Sequence, residues 1–101
     1  MKAELFNFRC WINESETSLL KKSMHAILVK CDFEILGQID HQFKPQGYTA
    51  LWLLGESHLA IHTYPEHNTT YIELTSCACD KNQIFIDEIK KLYQVSQQNI
   101  S

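Results

Sequence analysis

Residues 49–77 read TALWLLGESHLAIHTYPEHNTTYIELTSC, and the fold turns on this stretch. Thr49 to Leu54 is almost continuously apolar, which predicts a strand buried in the middle of a sheet. Gly55-Glu56-Ser57 breaks that run, and His58 to Thr63 reads as the next strand. Pro65 ends it, His67-Asn68 predicts a hairpin loop, and Tyr71 to Cys77 alternates again. Connections this short join antiparallel strands, because parallel ones need a crossover of a dozen residues or more.

The pattern extends in both directions. Upstream, Lys44-Pro45-Gln46-Gly47 predicts a turn, and Phe33, Ile35, Gly37 and Ile39 alternate with Glu34, Leu36, Gln38 and Asp40. Leu20, Met24, Ile27 and Leu28 form one apolar helix face, with Asn13 placed to cap it and Glu16 three residues on. Phe6, Phe8 and Cys10 give a first short strand. Downstream, Asp80-Lys81-Asn82-Gln83 predicts the cap of a second helix, with Phe85, Ile86, Ile89, Leu92 and Tyr93 on one side. The tail after Val95 turns polar and is expected to fray. Two helices with one apolar face each need one sheet face to cover. The expectation is a single α+β domain over residues 1–101: a two-layer α/β sandwich, its sheet largely antiparallel, with two helices on one face.

Composition narrows the function. Net charge is −3 over 101 residues, and no basic run exceeds Lys21-Lys22 or Lys90-Lys91. The basic stripe that meets nucleic acid is missing. No apolar run approaches the roughly 20 residues that span a bilayer. Met1-Lys2-Ala3-Glu4 lacks the apolar run of a secretion signal, so a cytoplasmic protein with four reduced cysteines is expected. Cys77-Ala78-Cys79 matches neither a zinc ribbon nor a Cys-x-x-Cys redox pair. Cys10 and Cys31 read as small buried apolar residues.

Gly55 to Glu66 gathers a serine, two histidines and two carboxylates within twelve residues. Residue types alone leave three readings open. The cluster can be the solvent face of an amphipathic strand. His58 and His62 with Cys77 and Cys79 could form a His2Cys2 metal set. Ser57 can be a nucleophile with a histidine as base, although Leu59 stands where the last glycine of Gly-x-Ser-x-Gly would be.

The run Glu56-Ser57-His58-Leu59-Ala60-Ile61-His62-Thr63-Tyr64-Pro65-Glu66 resembles the processing-site motif of bacterial and archaeal S-adenosylmethionine decarboxylase proenzymes. The resemblance continues upstream through His41-Gln42-Phe43-Lys44-Pro45-Gln46-Gly47-Tyr48-Thr49 and downstream to Thr75-Ser76-Cys77. It implies self-cleavage between Glu56 and Ser57 into fragments 1–56 and 57–101. The Ser57 hydroxyl would attack the Glu56 carbonyl, and elimination from the resulting ester would leave a covalent pyruvoyl (pyruvate) cofactor at position 57. It also implies that His62 serves as base in the elimination and that Thr49 supports the tetrahedral intermediate. Cys77 would return a proton during turnover, Glu66 would bind ribose hydroxyls and Phe43 would stack on adenine. His58 is expected to be structural. The implied reaction is decarboxylation of S-adenosylmethionine through a Schiff base, supplying spermidine synthesis, by a homodimer of cleaved protomers with no metal.

Several positions depart from the family pattern. Ala60 replaces a serine, Tyr64 replaces a tryptophan, and Ala78-Cys79-Asp80 follows Cys77 in place of Gly-Asp. Asn7-Phe8-Arg9-Cys10 stands where a Gly-Cys-Asp-like segment is expected, and the chain is short for the family. These changes alter the pocket wall and spare the cleavage chemistry. They leave room for a pyruvoyl-dependent decarboxylase of ornithine or arginine. They also allow a non-catalytic homologue that binds an active partner and stays uncut.

Overall fold

The computed structural model describes residues 5–96. In chain order the elements are β1 (Phe6–Ile12), α1 (Thr17–Lys30), β2 (Ile35–Gln42), β3 (Tyr48–Leu54), β4 (Ser57–Tyr64), a 3-10 turn (Pro65–His67), β5 (Thr69–Ser76), α2 (Cys79–Leu92) and β6 (Val95–Ser96). They form one six-stranded sheet in the order β2-β3-β4-β5-β1-β6. Every pairing is antiparallel.

The register aligns the core in rows. Trp52 pairs with Leu59, Leu59 with Leu74, and Leu74 with Phe8; next to them run Ala50, Ile61, Ile72 and Cys10. All eight side chains are buried, and against them pack Leu20, Met24, Ile27 and Leu28 of α1 with Phe85 and Ile89 of α2. Each such side chain withdrawn from water contributes about 1.5–3 kcal/mol, so these two rows and their helical cover supply much of the stability. The α+β sandwich read from the sequence is the fold observed.

Four local expectations need correction. Helix α1 starts at Thr17, not just after Asn13. Its cap is Glu16, whose carboxylate accepts from the Ser18 and Leu19 amides at 3.3 and 2.6 Å. A carboxylate there also suits the positive end of the helix dipole. Helix α2 starts at Cys79 with no side-chain cap, and Leu92 is exposed. Val95 and Ser96 form a short sixth strand against Trp11 and Ile12, and the tail beyond them lies outside the described residues. Finally, β3 is buried on one face only: Leu51 and Leu53 are 43% and 57% exposed. An apolar run reads as buried on both faces by periodicity, but both helices cover the same side.

The uncovered face has its own rows. One is Gly37, Leu53, His58, Thr75 and Asn7; the second is Ile39, Leu51, Ala60, Glu73 and Arg9; the third is His41, Thr49, His62, Tyr71 and Trp11. The first two mix apolar and polar side chains. The third carries the chemistry.

Candidate active site

The β3–β4 hairpin is the tightest turn in the sheet. Leu54 pairs with Ser57, which leaves only Gly55 and Glu56 to reverse the chain. Glu56 adopts φ +59°, a left-handed conformation. A two-residue turn usually gives that second central position to glycine, yet here glycine precedes it. Holding a non-glycine residue so costs on the order of 1–3 kcal/mol. Ser57 is buried, and its Oγ makes no hydrogen bond among the described residues. A buried hydroxyl left unpaired is uncommon and costly. The Cys77 thiol completes the group, with Sγ 3.8 Å from both the Glu56 carbonyl oxygen and Glu56 Oε2. A strained peptide, an uncommitted hydroxyl and a thiol facing the carbonyl form an arrangement suited to acyl transfer onto Ser57.

The second cluster lies at the far end of β4. Thr49 Oγ1 and His62 Nδ1 are 3.0 Å apart, and the His62 ring stacks on Tyr71 at 6.3 Å and 22°. Trp11 closes the wall against Tyr71 and Tyr64, with centroids 5.3 and 5.5 Å away. Beyond this row a cleft of 260 Å³ opens, lined by Phe43, Tyr48, Thr49, His62, Tyr64 and Glu66 among others. Phe43 is half exposed and meets His41 edge-on at 4.5 Å, while Gln46 Nε2 lies 3.5 Å from Glu66 Oε1. Four side chains singled out in the sequence, Phe43, Thr49, His62 and Glu66, therefore border one cavity. Tyr71 and Trp11 were not foreseen. Counting outward from the turn at residues 65–68 pairs His62 with Tyr71, a signal that exists once the hairpin is accepted.

The two clusters do not meet within one chain. Ser57 and His62 are five residues apart on β4, about 16 Å along an extended strand. They also lie on opposite faces, Ser57 toward the helices and His62 on the open side. His58 is exposed on the open face beside Leu53. Among the described residues, no three His, Cys, Asp or Glu side chains gather as a metal site. No helix among them is long and apolar enough to cross a membrane.

The family model described as S-adenosylmethionine decarboxylase matches residues 10–101. The chain belongs to the S-adenosylmethionine decarboxylase family. It is 38% identical over 63 residues to an S-adenosylmethionine decarboxylase proenzyme of Symbiobacterium thermophilum, covering 62% of this chain and 48% of that protein. A proenzyme of the same name from Brevibacillus brevis is 42% identical over 66 residues, covering 65% and 48%. S-adenosylmethionine decarboxylase proenzyme 2 of Bacillus anthracis is 40% identical over 67 residues, covering 65% and 54%. The chain thus spans about half the length of the curated relatives it matches. A crystal structure of the adenosylmethionine decarboxylase from Aquifex aeolicus superposes with a TM-score of 0.76 at 20% identity, covering 100% of this chain and 95% of that one. That likeness shows a shared fold.

Proposed function

We propose that this chain is a self-processing, pyruvoyl-dependent decarboxylase of S-adenosylmethionine, supplying the aminopropyl donor for spermidine synthesis. The observation that carries this reading is the Glu56–Ser57 bond: a left-handed residue before a buried serine whose Oγ is uncommitted. In the first step the C–O bond from Ser57 Oγ to the Glu56 carbonyl carbon forms and the peptide C–N bond breaks. The hydroxyl proton passes to the nitrogen, and the strain at Glu56 is released. The Cys77 thiol faces the carbonyl oxygen on which charge develops, where a donor stabilises most. A base then removes the Ser57 α-proton, the Cβ–O bond breaks, and Glu56 departs as the carboxylate end of fragment 1–56. Water replaces ammonia at residue 57 to leave the pyruvoyl group. Fragments 1–56 and 57–101 stay together because β3 and β4 remain paired and the core rows cross the cut.

The residues around position 57 fit such a group: the serine whose backbone would carry it is buried, and its Oγ, which leaves with fragment 1–56, makes no hydrogen bond among the described residues. When formed, the pyruvoyl carbonyl supplies a sink for the electrons of the departing carboxylate. On this reading Cys77, whose thiol lies beside the Glu56–Ser57 bond, returns a proton to the substrate. Phe43 and Glu66 border the cleft where a nucleoside would need a stacking face and a hydroxyl acceptor. The Thr49 contact orients the His62 ring, and a neutral imidazole suits proton abstraction near pH 7.

The 16 Å gap supports a homodimer of cleaved protomers. In a two-fold pairing residue i meets j while j meets i, so open face against open face, with the axis running across the strands, brings the His62 end of one copy to the rim of the sheet where the Glu56–Ser57 turn of the other lies. Ile39, Leu51 and Leu53 give that face its apolar patch, with exposures of 70%, 43% and 57%. The relatives named above all carry the S-adenosylmethionine name, so ornithine and arginine are not favoured as substrates.

Intact mass under denaturing conditions tests the reading. Two fragments are expected, 57–101 lighter than its sequence by the exchange of an amino terminus for a ketone. A single chain of full mass after long incubation would overturn it, and Ser57→Ala is expected to give that result.

A further inference from the structure

We propose that Cys77 and Cys79 form a reversible intramolecular disulfide, a modification site that takes the Cys77 sulfur away from the Glu56 carbonyl. The four cysteines divide sharply. Cys10 and Cys31 are buried; burial pushes the Cys10 thiol up to about 12 and the Cys31 thiol up to about 11, which keeps both inert. Cys77 and Cys79 are both exposed and free. They flank Ala78, whose φ −106° and ψ 91° are extended, so the two side chains leave the backbone on one side. Two residues of extended chain span at most about 7 Å, and disulfides accept Cα separations of about 4.4–6.8 Å. Cys77 lies outside both β5 and α2, so closing the bond asks for no break in the sheet ladder.

The oxidant is a low-molecular-weight disulfide. The thiolate of one cysteine attacks it, releasing one thiol and forming a mixed disulfide. The second cysteine's thiolate attacks that bond, the second thiol leaves, and the two protein protons end on the two released thiols. So short a ring is strained, and strained exposed disulfides are the readily reduced ones. The bond would therefore form and open with the thiol pool. Its effect on turnover rests on the decarboxylase reading; its formation does not.

The test uses full-length protein equilibrated with oxidised glutathione, quenched with iodoacetamide, digested and weighed. The expected result is a peptide containing residues 77–79 lighter by two hydrogens and carrying no alkyl group, restored by dithiothreitol, with Cys10 and Cys31 unmodified until the chain is unfolded. Cys79→Ser is expected to accumulate a stable glutathione adduct at Cys77. The proposal is overturned by two alkylated cysteines, or by wild-type protein that keeps glutathione on Cys77 beside an alkylated Cys79. Decarboxylation is assayed on the same samples, with at least a tenfold reversible loss expected. Absence of carbon dioxide from the fully reduced protein strikes the decarboxylase reading and leaves the peptide masses to decide the disulfide.

Discussion

The two ends of β4 are built on opposite terms. At the Ser57 end the backbone is strained, the hydroxyl is buried and unpaired among the described residues, and the turn has only two residues. At the His62 end every named side chain has company: Thr49 on Nδ1, Tyr71 beneath the ring, Trp11 behind Tyr71. Strain and an uncommitted nucleophile suit an event that happens once and relieves both. A supported imidazole beside an open cleft suits repeated binding and proton transfer. On the proposed function, one strand carries a single-use end and a reusable end, and a protomer needs a second copy to join them.

The strongest way to break that comparison is complementation. Ser57→Ala and His62→Ala chains made separately are each expected to remain uncut on a timescale that processes the wild type, since loss of a general base costs about 10²- to 10⁴-fold. Produced together, mixed dimers pair the intact Ser57 of one chain with the intact His62 of the other. The His62→Ala chain is then expected to be cut between Glu56 and Ser57, read directly from its mass. If mixing gives no cleavage, His62 does not act across a dimer, and the separation of the two ends loses its proposed meaning.

A milder change sharpens the account of the Ser57 end. Glycine at position 56 adopts φ +59° without penalty, so Glu56→Gly should relieve about 1 kcal/mol of strain. Measured in a Ser57→Ala background, where the chain stays whole, the melting temperature should rise. With Ser57 present, cleavage should slow about fivefold, the rate equivalent of 1 kcal/mol. A more stable chain that is cut at the wild-type rate would show that the left-handed residue serves the turn and contributes nothing to the chemistry.

How much of this was legible beforehand depended on how local the cause was. The sheet was readable because Thr49–Leu54, His58–Thr63 and Tyr71–Cys77 are separated by hairpin-length gaps, and their pairing follows from turn geometry alone. The site residues were readable because Phe43, Thr49, His62 and Glu66 sit in one motif whose strands fold back on each other. The exposed side of β3 was not readable. Leu51 and Leu53 are chemically indistinguishable from core residues, and only the placement of both helices on one face leaves them bare. The cap of α1 was misplaced for a related reason: Asn13 and Glu16 are both competent, and the chain's exit from β1, with the Asn13 amide donating to Gln94 O, puts Asn13 too early. The gap between Ser57 and His62 was implicit in their spacing, since an odd offset on a strand always places two residues on opposite faces.

The smallest effect tests the His62 end, where the cleft wall is tied down by a polar bridge. Tyr48 lines the cleft, and its hydroxyl donates to Asp40 Oδ2 at 2.5 Å, while Lys21 Nζ approaches the same oxygen at 2.9 Å. The Tyr48 hydrogen bond, followed by Lys21, holds the Asp40 carboxyl below the usual carboxylate range. The unfolded chain therefore takes up a proton at Asp40 more readily than the folded one. The bridge's contribution is complete above the unfolded value of about 3.9 and is lost as pH falls through the lowered folded value. Tyr48→Phe keeps the buried ring and removes the donor. Its melting temperature should lie a little below wild type at neutral pH, and the two should converge as pH falls through the lowered folded value, below which Asp40 is protonated in both states. Because Asp40 is exposed, solvent screens the pair and the neutral-pH gap should be small. A gap that persists unchanged into acid would mean that Tyr48 acts through packing alone, and that the cleft end depends on its charges no more than the Ser57 end does.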